Sequence, residues 1–439
     1  MAKKPGLGVF DASLIVVGSI VGAGIFLVSG AVAQEAGSRA AFFLAWVLGG
    51  AVALAGALSN GELGGMFPRS GGEYVYLREA YGPALGFLSG WTSFWVVFPG
   101  SIAALAAGFG TTVAPMLGLP ASASRPIGIF AIAALTGLNA LGLSPGKWTQ
   151  NVLSATKLAA FGGLLVLGAL VSRPEAVAVA PLEAPAAGHP GGVATALIPV
   201  FFAYSGWNAA TYIAGELREP RRGLGQALAL GTGLCVVLYL AVNAVYLRAM
   251  PLGALAGVDQ PARAAAVQLG GARAAALLSP LVAVCVLSSM QASVLVGPRL
   301  YQAMAADGLF FAPVARLHAT ARVPLVALVT QGVVSTVELL TGRFDDLVGF
   351  ATSAIIAFST LTVAGVIVLR VRRPDGARPF PVPGYPLVPL LFIAVNIWVL
   401  WCVLASGARA ALAGLAIVAT GIPAYAAFRA RGRPHPLGG

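Results

Sequence analysis

The sequence predicts an all-α integral membrane protein, and three observations predict it. The first is charge. Only 10% of the 439 residues are charged and 58% are hydrophobic, whereas a soluble globular domain carries about 25% charged residues. A soluble chain this poor in charge could not cover its surface with polar groups, and lipid removes that problem. The second is length: twelve stretches supply the ~20 mostly apolar residues that a membrane helix needs. The third is texture. A soluble surface helix has one apolar and one polar face, but these stretches are apolar all round.

The twelve segments run near 11–30, 40–66, 83–113, 127–145, 150–171, 192–215, 225–247, 275–304, 324–341, 347–370, 387–407 and 410–428. The third and eighth are long, which predicts tilt. The start, Met1-Ala2-Lys3-Lys4 and then an apolar run, mimics a secretory leader. No small-residue cleavage site follows it, so it reads as a retained first helix. With the N-terminus in the cytoplasm, the cytoplasmic stretches hold more than twice as many Lys and Arg as the outer loops, as the positive-inside rule requires. An even number of spans then puts both termini in the cytoplasm. The net charge of +12 belongs to loops facing an anionic membrane surface. No basic run is interleaved with aromatics, so no nucleic-acid partner is expected. The stretches 173–192 and 370–389 read as an outer loop and a cytoplasmic connection, and no separate soluble domain appears.

Composition also excludes most enzyme chemistry. Cys235, Cys285 and Cys402 lie inside apolar stretches without a CxxC neighbour and read as small buried hydrophobes. His189, His318 and His435 fall in loops or the tail. No HExxH occurs, and no GxSxG pairing lies wholly in a span: Gly142-Leu143-Ser144-Pro145-Gly146 runs past the end of segment four. The expectation is no enzyme, no metal and no cofactor. Arg greatly outnumbers Lys, and Ala and Gly are abundant. By association this suggests a GC-rich bacterium and its inner, cytoplasmic membrane.

Segment one carries the most telling feature, Val21-Gly22-Ala23-Gly24-Ile25-Phe26. Each glycine costs a helix about 1 kcal/mol relative to Ala, so two glycines flanking one Ala mid-span invite unwinding. Unwound backbone inside a membrane is tolerated only where it lines a protein cavity. A half-helix starting near Gly24 points free N–H groups and a positive dipole end into that cavity, which suits a carboxylate. The half-helix ending near Ile20 offers unpaired carbonyls, which suit an ammonium. Close helix packing through small residues is the competing reading, and Gly18 and Gly22 fit it. Segment six, Pro199-Val200-Phe201-Phe202-Ala203-Tyr204-Ser205-Gly206-Trp207-Asn208, again has polar and flexible residues mid-span. Interrupted segments at matching places in two halves point to a transporter site, so the pairing favours binding.

The Val21–Phe26 run resembles the first-helix signature of the amino acid–polyamine–organocation superfamily. Phe202-Ala203-Tyr204-Ser205-Gly206-Trp207-Asn208 is similar to helix six of its L-type amino acid transporter branch. Glu216-Leu217-Arg218-Glu219-Pro220-Arg221-Arg222 and Arg378-Pro379-Phe380-Pro381-Val382-Pro383-Gly384-Tyr385-Pro386 resemble two further signatures of the family, in order along nearly the whole chain. The resemblance implies the LeuT fold, with helices one and six discontinuous. Residues 1–190 and 191–372 would form two inverted repeats of five helices, and 373–439 helices eleven and twelve with a short tail. It also implies roles. Amides of Gly22, Ala23 and Gly24 would hold a substrate carboxylate. Carbonyls of Ile20, Phe202 and Ala203 would hold its amine. Phe202 would close over the substrate, Gly206 would leave room for the side chain, and Asn208 would fix the unwound helix or the ligand. Tyr204 and Ser205 belong to the same break. Eukaryotic light chains of this branch carry a cysteine between segments three and four for a partner subunit. Residues 114–126 contain none, so no disulfide-linked heavy chain is expected.

Lys157 sits about a third of the way through segment five. A lysine at the bilayer centre costs about 2.5–3.5 kcal/mol on insertion scales, so such residues usually face the interior and work. Snorkelling to the interface is the alternative. An ammonium can stand where another transporter binds Na⁺, and the resemblance implies that sodium-independent members carry a lysine here. Tyr239 matches a family tyrosine near the substrate. Ser288, Ser289 and Ser293 are candidate neighbours, with bonding to their own helix as the competing reading. Among the acids, Glu338 stands as the only one well inside a span, while Asp345 and Asp346 read as an outer loop. A site for a cationic substrate wants a buried carboxylate or aromatic platform, so a neutral amino acid is expected. The function read from the sequence is therefore a Na⁺-independent neutral L-amino acid transporter working by alternating access, with exchange as the leading mode. The alternatives are proton-coupled symport, cationic amino acid or polyamine antiport, and a membrane amino acid sensor. The short stretch after Phe428 argues against the last.

Overall fold

The structure, a computed structural model, describes residues 6–22, 24–170, 192–341, 344–405 and 409–431. Every described element of any length is helical. Segment one is two helices, α1 (Val9–Ile20) and α2 (Gly24–Ala36). Then come α3 (Arg39–Met66), α4 (Glu73–Tyr81), α5 (Pro83–Thr92), α6 (Phe98–Met116), α7 (Ser124–Ala140) and α8 (Leu143–Leu170). Segment six is α9 (Val193–Tyr204) followed by a 3₁₀ helix, Ala209–Glu216. The chain continues through α10 (Pro220–Ala249), α11 (Leu252–Leu255), α12 (Pro261–Ala306), α13 (Leu325–Thr341), α14 (Phe344–Arg372), α15 (Leu387–Ala405) and α16 (Arg409–Arg431). Among the described residues, eight helices are long and apolar enough to cross a membrane, and shorter apolar helices accompany them. The molecule is a multi-pass membrane protein.

The helix ends follow local rules. Ser38 accepts the Ala41 N–H through its hydroxyl and starts α3, as an N-cap should. Asp11 accepts the Gly8 N–H at 2.9 Å and closes the start of α1. Pro83, Pro220 and Pro261 occupy first turns, where a missing N–H costs nothing.

Four details differ from the sequence reading. The long third segment is not one regular helix: between α5 and α6 a π turn covers Ser93–Val97, the kind of bulge that re-aims side chains at functional sites. The eighth segment is the later part of a longer helix, α12, which kinks at Gly271 (φ 68°) ahead of the segment and whose apolar span begins at Pro280. Asp345 and Asp346 lie in the first turn of α14 rather than in a loop. Finally, α4 was not anticipated. Its Tyr74, Val75, Tyr76, Leu77 and Ala80 are buried, so a short stretch between spans folds back into the bundle.

The acids also need correcting. Glu62, in α3, is fully buried, so Glu338 is not the only acid inside a span. Glu62 is heavily compensated: it accepts Arg370 Nε at 2.9 Å and Arg370 Nη2 at 2.6 Å, and the Val382 N–H at 2.7 Å. Arg378 completes the pairing at 3.3 Å. The side chain of Phe380 seats against Gly61 and Gly225. The connection after α14 is thereby anchored into the groove between α3 and α10.

Candidate functional site

The glycine pair does break the first segment. α1 stops at Ile20, Val21 leaves helical geometry with ψ 80°, and the Gly22 N–H turns back to the Ile20 carbonyl at 2.8 Å. α2 begins at Gly24. Ala23 lies outside the described residues. In segment six, α9 ends at Tyr204, and both the N–H and the hydroxyl of Ser205 cap the Phe202 carbonyl, at 3.2 and 2.8 Å. Gly206 follows with φ +97°, a conformation that disfavours any side chain. A Cβ there would also lie 2.8 Å from Ser19 Cβ. Likewise a Cβ on Gly24 would lie 2.9 Å from Ala203 Cα. The two breaks touch, and glycine is what lets them.

A cavity of about 240 Å³ opens at this contact. Ile20, Gly22, Gly24, Phe202, Ala203, Tyr204, Ser205, Gly206, Asn208 and Ser293 all line it. The sequence-predicted residues are therefore brought together, with two qualifications of orientation. The ring of Tyr204 packs against Trp46 and Tyr239, so its side chain belongs to the core. The Ser293 hydroxyl donates to the Ser289 carbonyl one turn back at 3.2 Å, the competing reading for that residue. Trp207 is buried against Phe392.

Lys157 and Tyr239 do not line the cavity. They stand behind the first break and hold it. Lys157 is fully buried, which rules out snorkelling. Its ammonium donates to the Gly18 carbonyl at 3.1 Å and to the Val21 carbonyl. Ser289 donates to the same two oxygens at 2.9 and 3.3 Å. Tyr239 reaches the carbonyls of Ile20 at 2.9 Å and Ala203 at 3.0 Å. One phenol hydrogen thus spans the ends of α1 and α9. The carbonyls freed by the two breaks are satisfied from behind, as buried polar groups must be.

Sequence reasoning missed Glu73. It begins α4, is 5% exposed and lines the cavity. Its Oε1 accepts Asn208 Nδ2 at 3.0 Å and Ser359 Oγ at 2.8 Å. Burial pushes its carboxyl up to about 7, against the pull of these two donors. A signal was present in Ser70-Gly71-Gly72-Glu73. Gly71 and Gly72 have φ of +127° and +56°, and a Cβ on Gly72 would meet the Tyr212 ring at 2.5 Å. Paired glycines before an acid mark a place where backbone must approach closely. Asp307, just past the end of α12, ties α4 down by accepting Tyr74 at 2.7 Å and by pairing with Arg69 and Arg78.

A multi-pass bundle in which two interrupted helices face one cavity defines a class, the membrane transporters whose irregular backbone lines the substrate site. Comparison with known proteins agrees. The family model for amino acid permease matches residues 7–423, so the chain belongs to that family, within the amino acid–polyamine–organocation superfamily. It is an amino acid transporter and not an enzyme. The serine/threonine exchanger SteT of Bacillus subtilis is 29% identical over 98% of this chain and 98% of its own. The human large neutral amino acids transporter small subunit 2 is 30% identical over 97% of this chain and 80% of its own. The rat b(0,+)-type amino acid transporter 1 is 29% identical over 90% and 81%.

Proposed function

We propose that this protein is a Na⁺-independent exchanger of neutral L-amino acids that works by alternating access. The carrying observation is the cavity where both broken helices meet, with Gly22 and Gly24 on one side and Phe202 to Gly206 on the other. Amides at the start of α2 suit the carboxylate. For the amine, the Ala203 carbonyl, which accepts Tyr239, offers its second lone pair; the Ile20 and Phe202 carbonyls join it by releasing one of the two donors each now accepts. Phe202 covers the amine, and Gly206, whose Cβ position Ser19 fills, keeps the two breaks in contact. The SteT relative, named an exchanger, and the large neutral transporter relative support the mode and the substrate class. Glu73, its carboxyl raised by burial to about 7 and its Oε1 already engaged by Asn208 and Ser359, is only partly ionised at pH 7 and draws a cation less than a full carboxylate would. The Lys157 ammonium rests on the Gly18 and Val21 carbonyls beside Ser289, a fixed cation in the place where another transporter would bind Na⁺, which supports independence from Na⁺.

The fold reading extends in the same way. Twelve spans form two inverted repeats, 1–190 and 191–372, followed by 373–439, in the LeuT arrangement, with both termini on the cytoplasmic side of the cytoplasmic membrane. α4 then lies on the cytoplasmic face. The loop 114–126 has no cysteine, which supports a transporter without a covalently attached subunit.

Reconstitution tests the reading. Vesicles are loaded with unlabelled alanine or left empty, and a labelled amino acid is supplied outside with Na⁺ and pH varied. Exchange predicts uptake only into loaded vesicles, unchanged without Na⁺. Uptake into empty vesicles driven by a pH gradient would replace exchange with proton symport. Strict Na⁺ dependence, arginine uptake exceeding alanine uptake, or binding without flux would each overturn the proposal.

A further inference from the structure

Glu73 is the one carboxylate among the described residues that lines the cavity. It takes part in no ion pair among them; those carboxylates are Asp11, Glu62, Glu79, Glu216 and Asp307. The groups around it are neutral. Its own helix contributes Tyr76, the 3₁₀ helix contributes Tyr212, and Asn208 and Ser359 are its donors. Arg78, on the same helix, is taken by Asp307. Both hydrogen bonds fall on Oε1, and Oε2 has none among the described residues.

The connectivity gives this carboxyl leverage. Asn208 leads into the 3₁₀ helix Ala209–Glu216, the second half of broken segment six. Ser359 sits mid-way along α14. One carboxyl oxygen therefore ties the broken helix to its neighbour across the α4 end of the cavity.

We propose that Glu73 is a proton-binding site at the α4 end of the cavity, and that its proton holds that end shut. A proton on Oε2 removes the buried charge while Oε1 keeps both donors. Without it, a nearly dry carboxylate rests on two neutral donors and no cation, a costly arrangement. Opening the α4 end, which alternating access as proposed above requires, lets water reach Glu73 and lets it ionise normally. The closed form thus binds the proton more tightly, so acid favours closure and alkali favours opening. With the carboxyl at about 7 when closed and at about 4.3 when hydrated, the closed-to-open ratio rises roughly tenfold from pH 8 to pH 6.

The test needs a readout independent of flux. Two backbone bonds mark closure: the Leu7 N–H donates to the Glu216 carbonyl at 2.9 Å, and the Arg218 N–H to the Leu7 carbonyl at 3.0 Å. Amide hydrogen exchange on the full-length protein, corrected for the intrinsic pH effect, should show their protection falling about tenfold from pH 6 to pH 8. Glu73→Gln keeps an acceptor for both donors and cannot ionise, so its protection should stay flat. In Ser359→Ala the carboxylate loses one donor, and the midpoint should move to higher pH. A pH-independent wild type, a Glu73→Gln variant with the wild-type profile, or an unmoved midpoint in Ser359→Ala would each overturn the proposal. Proteoliposome exchange with internal pH varied should agree, dependent in the wild type and flat in Glu73→Gln; a variant that is active with the wild-type profile also overturns it. Absence of any wild-type flux would sink the transport reading instead and leave the exchange result standing.

Discussion

Replacing Lys157 by Met separates the cost of a buried charge from its use. The side chains are similar in length, so the core around α8 keeps its packing. What is lost is the ammonium on the Gly18 and Val21 carbonyls. Hydrogen bonds from a charged donor contribute about 1.5–3 kcal/mol each. Two of them give a lower figure of about 3 kcal/mol, or roughly a hundredfold in the equilibrium that holds the break. Ser289 remains on both oxygens, so the expected fall in exchange rate is between tenfold and a hundredfold. Stability should move the other way or not at all, because removing a charge from the interior relieves an insertion cost of about 2.5–3.5 kcal/mol. Initial exchange rates in proteoliposomes and thermal unfolding in detergent measure the two. Wild-type exchange by Lys157→Met would refute the reasoning, since the two carbonyls would then not need the ammonium.

Three further outcomes are expected. Gly206→Ala forces a side chain onto φ +97° and against Ser19; it should cost on the order of 1–3 kcal/mol and lower the unfolding temperature by a few degrees, with exchange reduced. Gly24→Val puts a branched side chain where even a Cβ lies 2.9 Å from Ala203 Cα, so exchange should be abolished while membrane insertion, read by fractionation, is kept. At Asp307 burial works against ionisation, but Arg78, Tyr74 and Arg69 outweigh it and hold the carboxyl below its usual range. The stability it contributes is therefore present above about pH 4 and lost as pH falls through the lower folded value; Asp307→Asn should unfold earlier than wild type at pH 6 and lose that disadvantage at low pH.

The breaks were legible because glycine mid-span has few other uses. Gly22, Gly24 and Gly206 all sit where the backbone leaves the helix or meets another chain segment, and a single sequence exposes that. Lys157 was legible for a similar reason, since a charge inside an apolar run must be answered by something. Its acceptors were not, because the Gly18 and Val21 carbonyls meet the ammonium only once α1 and α8 are packed; Ser289, a candidate neighbour from the sequence, donates to the same two oxygens from α12. Glu73 was overlooked because it lies between apolar runs, where acids are normally solvated. Its burial depends on α4 folding inward, which the short polar stretch 67–82 did not announce. Glu62 was missed because its compensating cations, Arg370 and Arg378, lie about 300 residues away.

The short backbone pairing near the start of the described chain carries a mechanical meaning. The Leu7 N–H donates to the Glu216 carbonyl and the Arg218 N–H donates to the Leu7 carbonyl, pairing Leu7 alongside Leu217. The chain ahead of α1 and the end of the 3₁₀ helix are thus stitched by peptide groups that no side-chain substitution removes. Opening the α4 end unzips both bonds together, so the two half-helices are freed at once: in the binding mode proposed above, both ends of an amino acid lose their grip in the same stroke, and a half-released substrate never forms.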